Sequence, residues 1–131
     1  MVIGETLPEL VKEITQESIN AYADASGDFN PIHVNEEFAK DTPFKGTIAH
    51  GFYIFGFLNE LMTRHFGKRW VNGGHVDVRF KKPVRPGDTI TVKAVLAGRE
   101  MRGDHGYLVM DVVWENQMGE PVIAGKAFVL E

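Results

Sequence analysis

The sequence predicts one α+β domain in which a long antiparallel sheet curls around a single buried helix. Three observations carry that expectation. The segment AHGFYIFGFLNELMTRHFG is apolar on every side from Phe52 to Leu58 and one-sided only afterwards, the pattern of a core helix. From His75 onward the apolar period changes from helical to two, the pattern of half-buried strands. Finally, the 131 residues contain no repeat and no low-complexity linker, and a chain of that size buries one core, so 1–131 is read as a single domain.

Taken in order, PELVKEI contributes a strand near the N-terminus. Thr15 then suits a helix N-cap, Gln16 and Glu17 a first turn, and Ile19, Tyr22 and Ala23 recur at helical spacing before Gly27 supplies a stop. The stretch from Ser26 to His33 reads as a loop. Asn35 caps a short second helix through EEFAKD, and TPFKGT breaks regularity again. The central helix follows; it is shorter than 20 residues with polar residues in its last turns, which favours a core helix over a membrane span. Val76, Val78 and Phe80 alternate with polar residues, as do Ile90, Val92, Ala94 and Leu96, giving two strands. GYLVMDVVWEN, the turn-like QMGE and PVIAGKAFVLE complete a hairpin.

Composition removes several classes of function. With 14 basic against 18 acidic residues the net charge is -4, and no block of like charge interrupts the chain, which argues against nucleic acid as a partner. No run is long enough to span a bilayer, so no membrane association is expected. The start, MVIGETLPELVKE, lacks the features of a secretory signal, and a cytoplasmic protein is the default expectation. There is no cysteine, hence no disulfide and no thiol nucleophile.

The chemistry concentrates in SGDFNPIH, Ser26 to His33. Asp28 and His33 form a pair that can divide proton handling, since their reference pKa values of about 3.9 and about 6.5 leave a carboxylate to accept and an imidazole to hold or pass a proton near neutrality. Pro31 fixes its own backbone and biases Asn30 away from helix. Asn30 can lock the turn through side-chain bonds to nearby backbone. Two residues thus supply chemistry and the others aim them. On spacing alone, Asp28 as a plain turn residue and His33 as an ordinary histidine stay equally open.

The segments YADASGDFNPIH and FAKDTPFKGTIAHGF, with the later RFKKPVRPGDTI, resemble the MaoC-like dehydratases and (R)-specific enoyl-CoA hydratases. Gly27, Asp28, Asn30, Pro31 and His33 stand at that family's spacing upstream of the His50–Gly51 step. The resemblance implies a hot-dog fold, an antiparallel sheet wrapped around a long central helix, and reversible addition of water to a trans-2-enoyl thioester to give an (R)-3-hydroxyacyl product. It implies Asp28 and His33 as catalytic residues, with Asp28 the leading base, and the Gly51 amide as donor to the thioester carbonyl. A helix starting near Gly51 would present unpaired N–H groups suited to an enolate oxygen, although a glycine kept for close packing is as compatible with the sequence. His50 is read as a neighbour that shapes the loop, along with Asn30 and Pro31.

Phe52 and Phe55 are candidates for lining an acyl tunnel, against the alternative that an aromatic-rich helix is simply core. Asp28, His33 and His50 have no tight metal-ligand motif around them, so no metal is expected, and no cofactor, because the thioester already acidifies the carbon beside it. The expected partners are an acyl-CoA or acyl-carrier-protein thioester and a second copy of the chain, as a homodimer or higher oligomer. Two other readings share the fold: a hot-dog thioesterase, which commonly carries a carboxylate near the start of the central helix where this chain has Phe52 to Phe57, and a non-catalytic acyl-thioester binding module.

Overall fold

The computed structural model describes all 131 residues. Five strands form one antiparallel sheet: β1 (Leu10–Glu13), β2 (His75–Phe80), β3 (Thr89–Arg102), β4 (His105–Glu115) and β5 (Pro121–Leu130), in the order β1-β3-β4-β5-β2. The two strands outside the β3-β4-β5 meander lie at its edges. The period-two pattern is realised most cleanly on β3, where Ile90, Val92, Ala94 and Leu96 are all buried while their neighbours are only partly covered. On β4, Leu108, Met110, Val112 and Trp114 continue the same inner face.

Six helical pieces accompany the sheet: α1 (Gln16–Ser26), α2 (Pro31–Val34), α3 (Glu36–Ala39), α4 (Gly51–Phe55), α5 (Phe57–Phe66) and α6 (Lys68–Gly73). The first begins at a capping box in which Thr15 Oγ1 accepts from the Ser18 N–H while Ser18 Oγ accepts from the Thr15 N–H. It ends where Gly27 turns left-handed at φ 78° and returns its N–H to Ala23, a conformation that strongly favours glycine. Asn35 caps α3 through the Phe38 N–H, as expected.

Two expectations require correction. SGDFNPIH is not wholly loop: Pro31 to Val34 form one helical turn, α2, capped by Asn30. Nor is the central helix continuous and buried all round. It is interrupted at Gly56, and while Ile54, Phe57, Leu58, Leu61 and Met62 are buried, Phe52 is 73% exposed. The sheet covers only one side of this helix, so the ring at the start of α4 has nothing to pack under. The helix α6, which the sequence pattern did not suggest, is anchored by buried Trp70, whose Nε1–H donates to Asn59 Oδ1 at 3.1 Å.

The inner face of the sheet and the buried faces of α4 and α5, joined by Ile19 of α1, Trp70 of α6 and the loop residues Leu7, Ile14, Ala49 and Val84, make a single cluster of 25 residues. Each fully buried Leu, Ile or Met stabilises the fold by about 1.5–3 kcal/mol relative to exposure. Trp114 ties the layers together beyond this, being wholly buried and donating its indole N–H to the Ile54 carbonyl at 2.8 Å. The last turn of α4 is thereby tied to the sheet. No helix is long and apolar enough to cross a membrane.

Candidate active site

The chain leaves α1 at Gly27 and enters α2 through Asp28, Phe29 and Asn30. Asp28 Oδ1 accepts from the Asn30 N–H at 3.2 Å, and Asn30 Oδ1 accepts in turn from the Ile32 N–H at 3.1 Å. Pro31 occupies the first helical position, where its missing N–H costs nothing. These local bonds hold the carboxylate of Asp28, which stays exposed, within 4.8 Å of a ring nitrogen of His33.

His33 is oriented from outside its own helix. Its Nδ1 lies 2.8 Å from the Ile48 carbonyl oxygen. Because a carbonyl only accepts, Nδ1 carries the hydrogen and Nε2 of the neutral ring presents its lone pair. The Ile48 carbonyl is itself fixed, since the Ile48 N–H donates to Ile32 O at 3.2 Å and the Ala49 N–H to Val84 O at 2.7 Å.

His50 closes the arrangement from beneath. It is 98% buried, being 2% exposed, and its Nε2–H donates to the backbone carbonyl of Asp28 at 3.0 Å. Its ring stacks on His33, centroids 3.9 Å apart, and on its other side meets Tyr22 at 4.7 Å. Nδ1 of His50 has no hydrogen-bond partner. A buried polar nitrogen left so is costly, which fits a ring retained for its hold on the Asp28 loop and its contact with His33.

Asp28, His33 and His50 each offer one ligand-capable atom within 4.8 Å of the others. Distances alone would admit a metal ion. The two imidazoles, however, are stacked with planes only 27° apart, so their in-plane lone pairs run side by side rather than converge, and the trio makes a poorer chelate than its spacing suggests. The same spacing suits a water molecule. At ordinary hydrogen-bond lengths of about 2.8 Å a bent bridge spans about 4.5–5 Å, so one water can touch both the Asp28 carboxylate and a ring nitrogen of His33.

Beside His33 opens a cavity of about 400 Å³, lined among others by Gly51, Phe44, Ile48, Ile54, Phe80 and Val84. Gly51 is the first residue of α4, and its N–H has no acceptor within the chain. A Cβ at this position would stand 3.2 Å from the Phe80 ring, a close contact that favours glycine and supports the packing reading of Gly51. Lys81 and Lys82 flank the same cavity. Lys82 is engaged by Glu120, whose carboxyl is held below its ordinary value first by hydrogen bonds from Lys82 and Asn116 and then by the lysine charge.

The proposed tunnel rings sit elsewhere. Phe52 is 73% exposed, Phe55 stacks on Trp114 at 6.1 Å while bordering Phe80 at 6.3 Å, and neither is among the residues that line the wall. Phe44 and Phe80 do. The first turn of α4 carries no acid.

A family model described as MaoC like domain matches residues 2–118. The chain belongs to the MaoC-like family. This MaoC-like domain is 40% identical over 92 residues to an (R)-specific enoyl-CoA hydratase of Rhodospirillum rubrum, covering 68% of the chain and 62% of the relative. It is 39% identical over 92 residues to a 3-hydroxybutyryl-CoA dehydratase of Methylorubrum extorquens, covering 67% and 56% respectively. The matches thus span less than two thirds of those relatives' own length. Among solved structures, an (R)-hydratase from A. caviae involved in PHA biosynthesis superposes with a TM-score of 0.82 at 27% identity, covering 98% of the MaoC-like chain and 96% of that one. The expected hot-dog architecture is therefore shown.

Proposed function

We propose that the protein is a hydro-lyase, an (R)-specific enoyl-CoA hydratase or 3-hydroxyacyl-thioester dehydratase. The observation that carries this reading is the pairing of the Asp28 carboxylate with the His33 imidazole, within 4.8 Å, beside a cavity also lined by Gly51, whose N–H has no acceptor in the chain. The names of the relatives, an enoyl-CoA hydratase and a 3-hydroxybutyryl-CoA dehydratase, support the same reaction.

In the hydration direction the thioester carbonyl accepts from the Gly51 N–H. A water held by Asp28 and His33 Nε2 attacks C3, forming the C3–O bond. The electrons of the C2–C3 double bond move toward C2 and the carbonyl oxygen as an enolate, whose charge the Gly51 N–H stabilises. One proton of the water passes to the dyad, with Asp28 the leading acceptor, and the dyad returns a proton to C2. Atoms and charge balance without a cofactor or metal. Dehydration is the reverse.

The absence of a carboxylate in the first turn of α4 supports addition of water over thioester hydrolysis. Coenzyme A as the carrier, a cytoplasmic setting and a homodimer complete the reading. The free edge of β2 and the exposed rings of Phe52 and Phe80 supply a face on which a second copy can pair. Incubation with crotonyl-CoA, following both loss of the conjugated enoyl absorbance and release of free thiol, tests the proposal. Loss of absorbance without thiol supports it; thiol release identifies a thioesterase, and neither change a binding module.

A further inference from the structure

Gln16, the first residue of α1, is half-buried 17 positions away from His33 in sequence and outside the cavity. Its side-chain amide is fully used. Nε2–H donates to the His33 carbonyl at 2.8 Å and to Asn20 Oδ1 at 2.9 Å, and Oε1 accepts from the Thr47 hydroxyl at 2.6 Å. Rotating the amide by half a turn would set its oxygen against the His33 carbonyl, so the orientation is fixed by its partners.

Both ends of this bridge lead to the same imidazole. The His33 carbonyl sits in the last turn of the four-residue helix α2, where carbonyls lack intrahelical partners, and the Gln16 N–H supplies one. Thr47 is 3% exposed and directly precedes Ile48, whose carbonyl receives the His33 Nδ1–H. Gln16 therefore holds the backbone that carries His33 and the backbone that orients its ring at a fixed separation.

We infer that Gln16 and Thr47 act as a clamp that sets the tautomer and aim of His33, and are positioning residues for the reaction. The catalytic part of this inference rests on the proposed hydro-lyase activity; the structural part does not. Losing the Gln16–His33 bond loosens α2 against the 47–49 segment, and the imidazole then samples orientations in which Nδ1 no longer donates to Ile48. Misplacement of a reacting group on that scale lowers turnover by roughly ten- to a hundredfold. Because neither residue lines the cavity, KM should move little.

The test uses the full chain, with ring-nitrogen NMR shifts of labelled histidine to read the His33 tautomer and crotonyl-CoA kinetics to read turnover. Gln16→Glu retains the acceptor for Thr47 and removes the donor to His33; Thr47→Val removes the hydroxyl, and Thr47→Ser restores it. The inference expects the parent to hold the Nδ1–H tautomer. It expects Gln16→Glu and Thr47→Val to lose that preference and fall at least about tenfold in kcat with KM within about twofold, and Thr47→Ser to resemble the parent. The two loss variants combined should fall by less than the product of their separate effects, because each breaks one end of the same bridge. A His33 tautomer unchanged in folded Gln16→Glu and Thr47→Val overturns the clamp. A parent inactive toward crotonyl-CoA whose tautomer still shifts in those variants overturns the hydratase reading instead and keeps the clamp. Should Gln16→Glu fail to fold, the Thr47 pair carries the same comparison.

Discussion

The imidazoles of His33 and His50 are stacked 3.9 Å apart, and each holds a backbone carbonyl through one ring nitrogen: Ile48 for His33, Asp28 for His50. The second bond fixes the loop that carries the carboxylate, so the buried ring links the positions of both members of the dyad. His50→Phe keeps a ring of similar width in the stack and removes the N–H. Turnover is expected to fall by roughly ten- to a hundredfold, as for a reacting group displaced from its aim. Stability should fall by about 1 kcal/mol, the usual net worth of one neutral hydrogen bond, with the Asp28 loop still able to reach water. Steady-state kinetics beside urea unfolding checks both numbers, and full turnover in a folded variant would show that His50 is packing alone.

Asp28→Asn preserves shape and the bond from the Asn30 N–H while removing the base. Because Asp28 is exposed, the fold should be unaffected, whereas kcat should drop at least roughly a hundredfold, within the usual range of general acid–base contributions. His33→Ala should act similarly on rate and also leave the Ile48 carbonyl without its donor. The measurement is the hydration rate of each variant with its circular dichroism spectrum. Near-normal rates in both would remove the dyad from the mechanism.

Stereochemistry follows from which face of the substrate the dyad addresses. With the thioester oxygen at the Gly51 N–H, Asp28 and His33 lie together on one side of the C2–C3 bond, so water adds to one face. The resemblance to an (R)-specific enoyl-CoA hydratase makes the (R)-3-hydroxyacyl thioester the expected product, measured by chiral chromatography of the released acid. Predominance of the (S) product would contradict the proposed geometry even where hydration is fast.

Several of these features were legible before any coordinates. The helix α1 could be bounded because its signals are local: the Thr15 cap contacts Ser18, and Gly27 supplies the left-handed turn three residues after Asp24. The strand β3 was equally plain, since its inward residues alternate strictly. The helix α2 was not, because an Asn-Pro pair serves a turn and a capped helical N-terminus through the same side-chain bond, here Asn30 to Ile32. Exposure of Phe52 was hidden for another reason. An all-apolar run does not reveal which face the sheet covers. The Gln16–Thr47 and His33–Ile48 bonds join residues 31 and 15 positions apart, and no periodicity in the sequence records such polar contacts.

The rings on the cavity wall give an expectation for substrate length. Phe80 closes on Gly51 from β2 and Phe44 stands in the loop opposite, both partly exposed at 55% and 37%. Phe55 backs Phe80 at 6.3 Å and leans on Trp114, which resists outward movement of the wall. A preference for short enoyl chains of about four to six carbons is expected, because a longer tail must displace packed rings at a cost of roughly 1–3 kcal/mol. Phe80→Ala should raise kcat/KM for eight- and ten-carbon substrates relative to crotonyl-CoA. Its stability loss should fall below the 3–5 kcal/mol of a fully buried Phe→Ala change, because the ring is more than half exposed. Phe52→Ala, at a ring that is not on the cavity wall, should leave the length profile unchanged. The measurement is a chain-length series of kcat/KM for the parent and both variants. A parent that already favours ten or twelve carbons would move the tail-binding path away from the Phe44–Phe80 wall, and a shift caused by Phe52→Ala in place of Phe80→Ala would return it to the start of α4.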